Sequence, residues 1–289
     1  MTVLAPASRA GRQRPAAVRL GLRSAVALAV ACVAGLAMFT WPLFVHVAAQ
    51  GTAHVADAPF FFVLAMPVLV AVVLAELADG GLDSKALAML GVLAAVNAAL
   101  RPLGAGTGGI ETVFFLLILG GRVFGAGFGF LLGSTSLFAS ALLTGGAGPW
   151  LPFQMMAAGW VGLGAGLLPS AVRGRAELAM LAGYGVAAGF FFGTVMNLWF
   201  WPFTTGVGTG LSYLPGAPVA TNLHRFALYD VATSLGWDAG RAVTNVVAIA
   251  VLGAAVLATL RRAARRAAFD APVTFVPPGC PAPAAPLHS

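Results

Sequence analysis

The chain has 289 residues, of which 60% are apolar and only 9% charged, against roughly 25% charged in an ordinary soluble domain. With a mean hydropathy of +0.92, too little polar surface remains for a water-soluble globule. The 16 Lys and Arg against 9 Asp and Glu give +7, an excess that in a membrane protein reports orientation rather than nucleic-acid binding.

In chain order, residues 1–23 form a basic cytoplasmic tail and 24–83 a transmembrane hairpin, with spans at 24–45 and 59–78. The apolar stretch from Ala25 to Phe39 has the flanks of a secretory signal, but it continues through Trp41-Pro42-Leu43-Phe44-Val45 and is read as an uncleaved first span. Spans follow at 86–103, 110–120, 123–143, 151–169, 177–202 and 236–260, within a core over 84–266. A helix needs about 20 apolar residues to cross the hydrocarbon. The run Ile110 to Leu119 is shorter, so it either tilts within the protein or belongs to a broken or re-entrant element. Residues 267–289, with Pro272, Pro277, Pro278, Pro281, Pro283 and Pro286, have too little packing capacity to fold and read as a disordered cytoplasmic tail. The fold class expected is an all-α integral membrane protein of about eight segments, both termini cytoplasmic.

Every cation can be placed on this topology. The inside set is Arg9, Arg12, Arg14, Arg19, Arg23, Lys85, Arg122, Arg173, Arg175, Arg261, Arg262, Arg265 and Arg266, and the outside set only Arg101, Arg225 and Arg241. This positive-inside asymmetry requires an even number of crossings, six or eight. Small residues recur every four positions at Gly121-Gly125-Gly129, Gly162-Gly166 and Gly185-Gly189-Gly193, the spacing that lets helix backbones approach closely. Alanine rows Ala94-Ala98 and Ala95-Ala99 offer a smooth face on the helix that begins at Ser84, and Ala27-Ala31-Gly35 offers another.

Motifs for chemistry are sparse. No HExxH or GKS/GKT occurs, Cys32 and Cys280 are too few and too badly placed for a disulfide framework, and His46, His54, His224 and His288 are scattered. The GxGxxG at Gly104–Gly109 follows a membrane helix rather than a strand and reads as a flexible extracellular loop. No catalytic constellation is expected, nor a metal or cofactor, and if the protein drives uphill transport with ATP, a partner must hydrolyse it.

Polar and aromatic residues gather instead at the outer end. Asn97, Arg101, Glu111, Trp150, Gln154, Asn197, Trp201, Tyr213, Arg225, Trp237, Arg241 and Asn245 are the candidate substrate-binding residues. Each has an ordinary alternative: the tryptophans as interfacial belt, Asp238 and Arg241 as an i, i+3 pair, Arg101 and Glu111 as solvated loop charges. A charge near a span is costly unless it faces protein or a cavity, which places Arg241 and Asn245 inward. The Gly- and Pro-rich segment 203–235 is long enough to form a lid.

The run Leu116-Leu117-Ile118-Leu119-Gly120-Gly121-Arg122-Val123-Phe124-Gly125-Ala126-Gly127-Phe128-Gly129-Phe130 resembles the second-to-third helix junction of the substrate-binding S components of energy-coupling factor (ECF) vitamin transporters. There a short helix ends in a glycine-plus-basic turn. Gly148-Pro149-Trp150-Leu151-Pro152-Phe153-Gln154 and Ala158-Gly159-Trp160-Val161-Gly162-Leu163-Gly164-Ala165-Gly166-Leu167-Leu168-Pro169 resemble its fourth helix. The likeness covers about 84–265 as six helices and leaves the first two spans as an addition. It implies a binding subunit of an ABC-type importer in the bacterial plasma membrane, which captures a vitamin or related micronutrient, topples in the bilayer, and works with a transmembrane coupling (T) subunit and two ATPases. It places coupling-subunit docking on Ala94 and Ala98 or on Ala95 and Ala99. Chains of this composition resemble the group assigned to cobalamin-like substrates, with thiamine-related compounds as the alternative. A self-contained secondary transporter or channel is the competing class; it should show inverted repeats and intramembrane coupling charges.

Overall fold

The computed structural model describes residues 21–44, 67–68, 70–72, 74–75, 84–104, 108–204 and 209–267. They form helices α1 (Leu22–Phe44), α2 (Ser84–Leu100, continued by a 3₁₀ turn Arg101–Leu103), α3 (Val113–Phe124), α4 (Ala126–Thr144), α5 (Leu151–Leu167), α6 (Gly174–Thr204) and α7 (Val219–Ala267). The tails 1–20 and 268–289 and most of the expected span 59–78 lie outside the described residues; of that span, Val70 and Leu74 pack on the core.

Five of these helices are long and apolar enough to cross a membrane, and the polarity of the bundle is that of a protein dissolved in lipid. Val30, Val33, Val92, Val96, Val247 and Val251 are exposed on its perimeter, whereas Asn97, Arg122, Ser134, Ser136, Glu177, Asp238 and Asn245 are buried. Water would reverse that arrangement; hydrocarbon favours it, because a polar group must find its partner inside the protein. The chain is an all-α multi-pass membrane protein.

The short run after Ile110 becomes α3, 12 residues and about 18 Å long. It is almost entirely buried and packs against α2, α4, α5, α6 and α7, so it is a central strut rather than a lipid-facing span. The helix does not end at the Gly120-Gly121-Arg122 turn the sequence suggests. It runs through Arg122 to Phe124 and breaks at Gly125, whose φ of 97° lies where a side chain would be strained.

The glycine rows are packing devices. Gly121 of α3, Gly129 of α4 and Gly162 of α5 meet at one crossing: a Cβ on Gly121 or Gly129 would collide with the Gly162 carbonyl, and one on Gly162 with the backbone of Gly129. Overpacking costs about 1–3 kcal/mol where neighbours can move, and backbone moves less readily than side chains. Gly162→Val is therefore expected to abolish folded protein, measured as the monodisperse fraction in detergent. Gly183→Val, on α6 with nothing near its would-be Cβ, is expected to leave that fraction unchanged.

The α6 row has a different task. Gly185, Gly189 and Gly193 face Asn245, Arg241 and Asp238 of α7, and a Cβ on Gly193 would overlap the Asp238 carboxylate. Small residues on one helix thus make room for polar residues on the next. The first span is integral to the bundle: Phe39 packs edge-on against Phe153 (5.2 Å between centroids), and Trp41 Nε1 donates to the Trp199 carbonyl (3.3 Å).

Helix α7 has 49 residues and is about 73 Å long, more than twice a hydrocarbon core of about 30 Å. Its charge-free stretch 242–260, between Arg241 and Arg261, has the length of one crossing. The expected lid over 203–235 is corrected here: α7 already begins at Val219. The loop signals Gly206, Gly208, Gly210, Pro215, Gly216 and Pro218 end at Pro218, and the Ala- and Leu-bearing stretch after them continues as helix.

The helix pairings also sort the described cations by end. Glu177 of α6 meets Arg122 and Arg261, and Lys85 donates to the Ala267 carbonyl (2.9 Å), which puts these with Arg173, Arg175, Arg262, Arg265 and Arg266 at one end of the bundle. Arg101, Arg225 and Arg241 lie toward the other.

Candidate functional site

The end that carries Arg101 and Arg241 holds a cavity of about 360 Å³. The 3₁₀ turn after α2 brings Arg101 and Pro102 to it, α4 brings Ser140 and Thr144, the start of α5 brings Trp150, and α7 brings Trp237 and Arg241. Glu111 reaches the cavity because the α2–α3 connection is pressed onto α7. Gly109 has a φ of 79°, and a Cβ there would overlap the Trp237 backbone; a Cβ on Gly240 would overlap Gly108. These two chain segments therefore touch backbone to backbone. The glycines of the GxGxxG run that are described, Gly104, Gly108 and Gly109, serve turning and close packing.

That contact assembles an ion-pair triad. Arg241 Nε donates to Glu111 Oε2 and Nη1 to Asp238 Oδ1, each at 2.5 Å, with side-chain exposures of 16% for Arg241, 20% for Glu111 and 2% for Asp238. Asp238 accepts a further bond from Ser234 Oγ (2.9 Å), and the Arg241 guanidinium lies 5.5 Å from the centroid of Phe192. The i, i+3 pairing of Asp238 and Arg241 read from sequence is thus present, with a third member 130 positions away. Arg101 is held differently. Among the described residues its Nη1 and Nη2 reach the neutral Ser140 Oγ and Gln154 Oε1, each at 3.4 Å.

Of the twelve candidate residues, Arg101, Glu111, Trp150, Trp237 and Arg241 line the cavity and Gln154 touches Arg101. Asn97 and Asn245 lie one helical turn deeper, below Arg101 and Arg241, and are fully buried. Asn245 donates to the Gly185 carbonyl (2.9 Å), while its Oδ1, both polar atoms of Asn97 and the Ser136 hydroxyl have no hydrogen-bond partner among the described residues.

The other four are gathered elsewhere. Asn197 donates to Asp230 Oδ1 (2.8 Å) and Thr194 to Asp230 Oδ2 (2.9 Å), stitching α6 to α7. Trp201 packs with Tyr213 and Phe226 and donates to the Leu211 carbonyl (2.7 Å). Arg225 donates to the carbonyls of Ser212 (2.6 Å) and Thr209. Asn222 bonds both the N–H and the carbonyl of Leu214 (3.0 and 2.9 Å). These residues fasten the 209–218 connection onto the helix ends, and burial there raises the Tyr213 phenol above its ordinary pKa. They hold the 209–218 connection down as a cap where a lid was expected.

Sequence reasoning passed over Ser140 and Thr144. Their signal was present: two hydroxyls at i, i+4 near the end of an apolar helix, on the same face as Ser136. The alanine rows are separated by burial. Ala94 and Ala98 are inside the bundle, while Ala95 and Ala99 are exposed beside Val92 and Val96. No protein-family model, curated protein or solved structure matches the chain.

Proposed function

We propose that this chain is the solute-capturing membrane subunit of an ECF-type importer, with the cavity as its binding site and a coupling subunit and two ATPases as its partners. The observation that carries the reading is the convergence of four helices and a backbone-locked loop on one cavity. It is walled by Arg101, Glu111, Arg241 and two tryptophans at the end of an otherwise apolar bundle. Ligand sites commonly enclose about 300–1,000 Å³ and place a few polar groups among apolar walls. A volume of about 360 Å³ suits a vitamin-sized solute of one or two rings; a cobalamin-like solute would require it to widen. The eight cations placed at the opposite end support a cytoplasmic assignment for that end, which leaves the cavity facing outward.

In this reading the exposed Ala95–Ala99 face receives the coupling subunit, because small side chains let a second helix approach. The full chain, affinity-tagged in its native host, is expected to copurify with a coupling membrane protein and ATPases. Ala95→Trp is expected to abolish that copurification while the subunit itself remains monodisperse. Ala94→Trp, at a buried position, is expected to lose the folded subunit. If Ala95→Trp retains the partners, the docking assignment falls. If the purified chain alone accumulates solute in vesicles under an ion gradient, a self-contained secondary transporter replaces the importer reading.

A further inference from the structure

We infer that the cavity selects a ring-bearing organic anion, with a carboxylate or similar oxyanion held by Arg101 and the ring resting against Trp150 and Trp237. This rests on the solute-capture reading and narrows its substrate class.

The argument starts from which charges are already satisfied. Among the described residues three ionisable side chains line the cavity, and two of them, Glu111 and Arg241, are paired with each other. The second branch of Arg241 is taken by Asp238, buried behind it. Glu111 is therefore a poor counter-charge for a cationic solute. Arg101 has no carboxylate partner among the described residues, and its two neutral contacts at 3.4 Å exceed the usual N–H···O range of about 2.7–3.2 Å. A guanidinium carries five donors in a planar fork that fits an oxyanion and binds it more strongly than a neutral acceptor. Replacing the Ser140 and Gln154 contacts with an oxyanion loses little and satisfies the charge.

Two further features agree. Asn97 and Ser136, one turn below Arg101 and Ser140, are fully buried with polar atoms that have no partner among the described residues, so polar groups continue beneath the Arg101 side of the cavity. Trp150 and Trp237 are both 45% exposed at the cavity. They supply broad apolar surfaces suited to a ring.

The test uses the full chain in detergent micelles. Solute retained through purification is released by denaturation and identified by mass spectrometry, and tryptophan emission is titrated with acid and amide pairs of the same skeleton, nicotinate with nicotinamide and indole-3-acetate with indole-3-acetamide. The expected solute is an anion, or an acid is preferred to its amide by about ten-fold or more. Arg101→Gln removes occupancy or preference, Arg101→Lys keeps part of it, and both variants keep the thermal midpoint of the parent. A neutral or cationic retained solute, full occupancy in Arg101→Gln, or, where nothing is retained, no acid preferred to its amide overturns the inference. If an anion is retained and depends on Arg101 but no ATPase copurifies, the importer reading fails and this one stands. If the ATPases copurify with a neutral solute, the reverse holds.

Discussion

Arg122→Leu is expected to destabilise the bundle by about 3–5 kcal/mol, the range for removing one partner of a buried ion pair. Every polar branch of Arg122 is committed. Nε donates to Glu177 (2.6 Å), Nη1 to the carbonyls of Leu168 and Pro169 (2.9 and 3.0 Å), and Nη2 to the carbonyl of Val172 (2.8 Å). These carbonyls belong to the α5–α6 connection just past Leu167, so one side chain binds that connection to α3. Glu177 also accepts both Arg261 contacts from α7 (2.6 and 2.7 Å). Removing the guanidinium leaves several buried acceptors open together. Arg122→Lys keeps the charge but not the fork, and is expected to fall between parent and leucine variant. In Arg122→Leu/Glu177→Leu the buried carboxylate is gone as well, and Arg261, 37% exposed, can turn to solvent, so part of the loss is expected to return. Unfolding by SDS titration in mixed micelles measures the series. A leucine variant as stable as the parent would show that the network holds no net stability.

The same residue shows how far sequence reading reaches. Arg122 was legible as a cation of the basic end, but an Arg after two glycines also marks a turn. What keeps it in a helix is burial of α3 on every side, and Glu177 lies 55 positions away. The glycine rows were legible by their spacing of four, whereas the purpose of Gly185, Gly189 and Gly193 depends on the α6–α7 register, which brings them against Asn245, Arg241 and Asp238. Arg101, Glu111, Trp150, Trp237 and Arg241 stood out because charge and indole are rare in this composition. Arg225, Trp201 and Tyr213 stood out equally and belong to the cap. Local chemistry cannot separate the two groups, since both lie near helix ends; only the folded path of 209–218 does.

Arg241→Met is expected to be the second severe substitution, again about 3–5 kcal/mol, and its pattern of rescue tests how the triad is organised. Asp238 is the member with nowhere to go. It is 2% exposed, pressed against Gly193, and without Arg241 keeps only the Ser234 hydroxyl. Glu111 is 20% exposed at the cavity and can find water. The loss in Arg241→Met should therefore come mainly from an uncompensated Asp238. Arg241→Met/Asp238→Asn is expected to be more stable than Arg241→Met alone, because an amide removes the buried negative charge and still accepts from Ser234. Arg241→Met/Glu111→Gln is expected to recover little, and Glu111→Gln alone to lose about 1 kcal/mol or less, as for partly solvated pairs. SDS titration ranks the four variants. Equal rescue by both second substitutions would mean that the two carboxylates share the charge of Arg241 evenly; rescue by Glu111→Gln alone would reverse the assignment. The order matters for function, because the carboxylate that anchors Arg241 fixes one wall of the cavity, and with Arg241 so held and paired to Glu111, Arg101 is left as the cavity's cation without a carboxylate partner among the described residues.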